Sequence, residues 1–86
     1  MKTPEQCENI NDIRAEIDRR DRQIITLLGE RLQYVRAASQ FKTSEASVRA
    51  VERVRNLLEQ RRIWASEEGL DPEVIEKMYR DLLNFF

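Results

Sequence analysis

Alternating steps of four and three residues from position 10 land on Ile10, Arg14, Ile17, Asp21, Ile24, Leu28, Arg31, Val35, Ala38 and Lys42. Six of these ten positions are apolar. A stripe with this period predicts an amphipathic helix. Asn9 or Asn11 is placed to cap it, and no strong breaker occurs until about residue 42. Gly29 interrupts the run, but one glycine costs only about 1 kcal/mol and does not end a helix this periodic. Thirty residues at the α-helical rise make a rod of roughly 45 Å.

The pattern then changes twice. "KTSEAS", residues 42–47, is small and polar and reads as a loop, with Ser44 or Ser47 capping the next helix. This second helix is expected from about Val48 to Glu68, with Val51, Val54, Leu57, Leu58 and Trp64 inward and Gly69 as its C-cap. "LDPE" restarts the chain, with Asp71 as cap, Pro72 at the first helical position and Glu73 complementing the dipole. The third helix places Val74, Ile75, Met78, Tyr79, Leu82, Leu83 and Phe86 on one face. Upstream, "TPEQ" predicts one short turn with Thr3 as N-cap and Pro4 first inside. Strand signals and repeats are absent, so the fold class is all-α: one long helix, two shorter ones, and a single domain over residues 1–86.

Length changes this picture. A chain of 86 residues buries little more than about 60% of its unfolded surface, and small domains need disulfides, metals or oligomerisation. Cys7 is the only cysteine and histidine is absent, which leaves association. A rod this long also outreaches two shorter helices, so pairing with a second copy through a two-fold interface is expected. The net charge of −1 argues against a nucleic-acid partner. No apolar run suits a signal peptide or a bilayer span, and with a free cysteine this points to the cytoplasm. Cys7 reads as a packing residue.

The charges within the stripe carry the functional question. A buried, unpaired guanidinium is costly. Three explanations compete: the long side chains snorkel to water, polar seam positions set register and oligomeric state, or the cations line a cavity filled by an anion. Arg14 and Arg31 are seventeen residues apart, roughly 26 Å along one helix, so one copy cannot hold one small molecule with both. In an antiparallel pair, Arg14 of one copy lies near Arg31 of the other, with Lys42 closing over the site. Three converging cations suit a small dianion. The sequence offers no histidine, serine–base pair, metal cluster or glycine-rich phosphate loop. An enzyme built this way holds its substrate in reactive shape and stabilises developing charge, as pericyclic rearrangement of a dicarboxylate requires.

"DIRAEIDRRDRQIITLLGERLQYVRAASQFK" resembles the first helix of the all-helical chorismate mutases, with an arginine near the start, an "ID..D..I..LL..R" core and a lysine at the end. "VERVRNLLEQRRIWASEEGLDPEVIEKMY" continues the similarity through the other two helices. Within that family, "MKTPEQC", "VRAASQFK" and "RRIWASEEGLD" look most like the isochorismate-pyruvate lyases, which make salicylate, commonly for siderophores. The resemblance implies an intertwined homodimer with shared active sites, no cofactor and no metal. It implies that Arg14 reaches across the dimer to a substrate carboxylate and that Arg31 binds the enolpyruvyl carboxylate. Lys42 would contact a carboxylate and the breaking ether oxygen. Glu52 and Arg53 fall where the family places further polar site residues. Tyr34, Trp64 and Tyr79 are expected in the core or the dimer interface.

Val48 and Val51 stand where typical mutases carry charged residues, which favours a lyase. The family's third helix runs on past the aromatic pair that Phe85 and Phe86 match, to a glutamine or glutamate that bonds the ether oxygen. The third helix is therefore expected to be cut short here. The implied function is a lyase acting on isochorismate, with weak chorismate mutase side activity. A chorismate mutase proper and a non-catalytic helical dimerisation module are the alternatives.

Overall fold

A computed structural model describes residues 1–41 and 46–85 of the chain, with the side chains of 46–49 left aside. Every regular element among the described residues is helical, with no strand. A 3-10 turn over Pro4–Gln6 precedes α1 (Ile10–Ala38), a second 3-10 turn covers Ser39–Phe41, and then come α2 (Ala46–Glu67) and α3 (Pro72–Phe85). The fold divides into two compact units, residues 1–37 and 38–86.

In the first unit the predicted short turn forms. Gln6 donates its backbone N–H to the Thr3 carbonyl at 2.9 Å, and its side-chain oxygen accepts from the Thr3 amide at 3.0 Å. Asn9, one of the two candidates, is the cap of α1: its Oδ1 accepts the Asp12 N–H at 2.9 Å. Asp12 in turn accepts the Glu8 N–H at 3.0 Å and pairs with Lys2 at 2.9 Å, so one first-turn carboxylate both complements the helix dipole and ties the N-terminal arm to α1. Cys7 is half-buried where that arm folds back, and its Sγ donates to the Thr3 carbonyl at 3.5 Å. The α-helix ends at Ala38 rather than near residue 42. The run continues as the tighter 3-10 turn that commonly finishes a helix.

The second unit is a helical hairpin of α2 and α3. Its core is Leu57, Leu58 and Ala65, each 5% exposed or less, with Val54, Ile75, Leu82 and Leu83 half-buried around it. The turn between the helices forms as the punctuation predicts. Gly69 has φ +74°, Leu70 N–H bonds the Ala65 carbonyl at 2.8 Å, and Gly69 N–H bonds that of Ser66 at 3.1 Å. These two bonds make a Schellman C-cap, which favours glycine because only it adopts a left-handed backbone without a Cβ penalty. Asp71 then accepts the Glu73 N–H at 2.9 Å and caps α3.

Some inward assignments need correction. Val51 is 63% and Trp64 46% exposed, while Ala65, not expected inside, is buried. Val74 and Met78 are also exposed. The small Ala65 packs in the α2–α3 core and leaves the larger indole of its neighbour at the edge. Ser47 lies inside α2, which begins at Ala46, so it is not the cap. The Ser44 cap and Phe86 lie outside the described residues.

Candidate active site

At 100° per residue, the isoleucine, leucine and valine positions of α1 span an arc of about 160°, from Leu27 to Ile25, with Ile17, Ile24 and Val35 near its middle. No residue of α1 is buried. Ile17 and Ile24 are each more than half exposed. Arg31 and Arg14 both fall inside this arc, about 40° and 60° to either side of its centre. Arg31 is half-buried and Arg14 exposed. Arg14 pairs with no carboxylate among the described residues, whereas Arg20, also inside the arc, and Arg19, outside it, both bind Glu16, at 3.3 and 3.2 Å. The two candidate site arginines flank an apolar surface with no buried residue, roughly 26 Å apart along the axis. One copy of the helix does not bring them together. Tyr34 is 78% exposed, so it is not core within its unit.

Glu52 and Arg53 lie near the start of α2, both exposed. On the helical wheel Glu52 stands about 160° from the centre of the buried face set by Leu57, Leu58 and Ala65, and Arg53 about 100° from it. Both therefore project away from the contact with α3. A groove of about 300 Å³ between α2 and α3, lined by Val51, Val54, Arg55, Leu58, Glu59, Glu76 and Arg80, includes neither. Lys42 lies outside the described residues.

Electrostatics separate structural charges from available ones. Glu76 accepts Arg80 at 3.1 Å and Arg62 at 3.2 Å, and the Arg80 hydrogen bond, with help from Arg62, holds its carboxyl below the ordinary value despite partial desolvation. Desolvation pushes the Glu16 carboxyl up, but Arg20 and Arg19 together outweigh it and the net shift is down. Asp12 is lowered by the Glu8 amide and then by Lys2. These carboxylates tie elements together and stay ionised, as anchors do. Among the described residues no group of histidine, cysteine or carboxylate side chains is placed to hold a metal ion, and no helix is long and apolar enough to cross a membrane.

One cation escaped sequence reasoning. Arg61, given no role from the sequence, has its guanidinium 4.6 Å from the Trp64 ring and 5.5 Å from the Tyr79 ring. The spacing of Arg61 and Trp64 on one helix was a readable signal. The approach of Tyr79 required knowing how α3 packs.

Known proteins match the chain along its length. The family model described as chorismate mutase type II matches residues 13–86. The isochorismate pyruvate lyase of Pseudomonas aeruginosa is 46% identical over 86 residues, covering the whole of this chain and 85% of that protein. The T-protein of Haemophilus influenzae is 34% identical over 74 residues, which is 85% of this chain and only 20% of that protein.

Proposed function

The chain belongs to the chorismate mutase type II family, and from that premise we propose that it is an isochorismate-pyruvate lyase, cleaving isochorismate to salicylate and pyruvate without a cofactor. The observation that carries this reading is the similarity to the Pseudomonas lyase, which extends over every residue of the chain. The reaction is concerted. The ether C–O bond breaks, a ring hydrogen passes to the enolpyruvyl methylene to give the methyl of pyruvate, and the ring becomes aromatic. No external oxidant or base is required. Negative charge grows on the ether oxygen as its bond to the ring lengthens, and a fixed cation there lowers the barrier.

Each polar side chain has a distinct role. Arg31 binds the enolpyruvyl carboxylate, for which a guanidinium offers two parallel N–H donors. Arg14 of a second copy binds the other carboxylate. Lys42 contacts a carboxylate and the ether oxygen, and Glu52 and Arg53 complete the polar lining. This requires a homodimer in which the α1 helices run antiparallel, and the wide apolar arc of α1 supports it. An arc of about 160° exceeds the stripe of roughly 100° that one packed face needs, and the arginines inside it meet their counterparts only across a two-fold axis. The single domain is then residues 1–86 as one protomer of a cytoplasmic enzyme serving salicylate, and so siderophore, production. The family description favours a second activity, weak conversion of chorismate to prephenate, because both substrates are enolpyruvyl dicarboxylates.

The test is to incubate the protein separately with isochorismate and with chorismate, monitoring salicylate fluorescence and prephenate. Salicylate as the dominant product supports the lyase. Prephenate alone makes the protein a mutase, and no product from either substrate makes it a non-catalytic helical dimer.

A further inference from the structure

The second unit holds a small pocket unconnected with the residues assigned to catalysis. It measures about 190 Å³ and is lined by Arg61, Trp64, Ala65, Glu68, Leu70, Ile75 and Tyr79. All but two of these walls are apolar or aromatic. Arg61 forms one side, its guanidinium carbon 4.6 Å from the ring centre of Trp64 on its own helix and 5.5 Å from that of Tyr79 on α3. Its neighbour Arg62 pairs with Glu76 at 3.2 Å, and Arg80 with the same carboxylate at 3.1 Å. Arg61 pairs with no carboxylate among the described residues, and its Nε is buried with no hydrogen-bond partner. A half-buried cation within cation–π reach of two rings, with no carboxylate partner among the described residues, keeps its charge for an acceptor in the pocket, and a guanidinium suits a planar one.

We infer that this pocket binds a small aromatic monocarboxylate, the carboxylate on the Arg61 guanidinium and the ring against Trp64, Leu70 and Ile75. The size is suitable, since an apolar cavity of roughly 150 Å³ admits benzene. The chemistry selects against two other ligand classes. Phosphate finds a single cation and a largely apolar wall. A dicarboxylate places its second charge against that wall or beside Glu68. The Glu68 carboxylate lines the pocket, is exposed, and opposes any anion bound there. The salicylate produced under the proposed function belongs to this ligand class, but the inference stands on the pocket alone.

Trp64 is the only tryptophan in the chain and reports directly on the pocket. In a titration with benzoate, excited where benzoate does not absorb, Trp64 emission is expected to change saturably. Benzamide, a neutral molecule of the same shape, should bind at least about tenfold more weakly, and so should benzoate to Arg61→Gln. Glu68→Gln should bind benzoate more tightly than wild type, and Arg31→Gln should bind it equally well. Helical circular dichroism confirms that each variant is folded. A linear, unsaturating response overturns the inference, as does an Arg61→Gln protein that binds like wild type. Loss of binding in Arg31→Gln also overturns it, by placing the ligand among the catalytic arginines.

Discussion

Lys42 and Glu76 are charged side chains to which different uses are proposed. Lys42 is proposed to contact the ether oxygen, where a fixed positive charge is worth most in the transition state and little in the ground state. Its removal is therefore expected to lower kcat more than it raises KM. Lys42→Ala should reduce turnover of isochorismate by at least about 10²-fold, the scale of losing one oxyanion donor, and steady-state kinetics would show it. A rate near wild type would remove Lys42 from the mechanism. Glu76 serves the fold instead, joining Arg62 of α2 to Arg80 of α3. Its carboxyl is held below the ordinary 4.5, so at acid pH the unfolded chain takes up this proton before the native one does. The stabilisation is complete above pH 4.5 and is lost as pH falls through the lower, native pKa. Denaturant titrations at a series of pH values should show stability dropping below about pH 5, and Glu76→Gln should flatten part of that slope.

Elements obey local rules that make opposite predictions for the two glycines. Gly69 occupies the left-handed C′ position, and a Cβ there would meet no heavy atom within 4 Å. The cost of Gly69→Ala is therefore conformational, about 1–2 kcal/mol, and should appear as a lower denaturation midpoint with an unchanged m-value. Gly29 lies mid-helix in α1, and an added Cβ there also meets nothing. Alanine has the better helix propensity by about 1 kcal/mol, so Gly29→Ala should raise the midpoint. The wheel places Gly29 about 120° from the centre of the apolar arc, on the side where added bulk meets water.

At the scale of the whole molecule, the prediction concerns two copies. If each active site takes Arg31 from one protomer and Arg14 from the other, Arg14→Ala and Arg31→Ala are separately inactive. Mixed and allowed to exchange, they form heterodimers in which one site of two carries both arginines. Random pairing makes about half the dimers heterodimeric, so about a quarter of wild-type activity should return. Failure to recover activity, with subunit exchange verified by mass spectrometry of the intact dimers, would show that each site is built within one protomer. Sedimentation equilibrium should give twice the chain mass of 10.3 kDa.

How far residue order alone reaches is clearest where the physics is local. The α1 cap, narrowed to Asn9 or Asn11, the Gly69 terminus and the Asp71–Pro72 restart depend on interactions spanning a few residues, so their chemistry was legible in the sequence. The arc of α1 was legible too, because periodicity is a property of one helix. Rotation of one helix against another is not: Val51, Trp64 and Ala65 all lie within reach of a plausible inner face, and only packing against α3 turned Ala65 inward and Trp64 to the edge. That same rotation brought Tyr79 to Arg61 and made a pocket from residues up to eighteen positions apart in the chain. Local hydrogen bonds and propensities act at short range along the backbone, whereas the partners of a helix face are settled by which complementary surface buries the most apolar area.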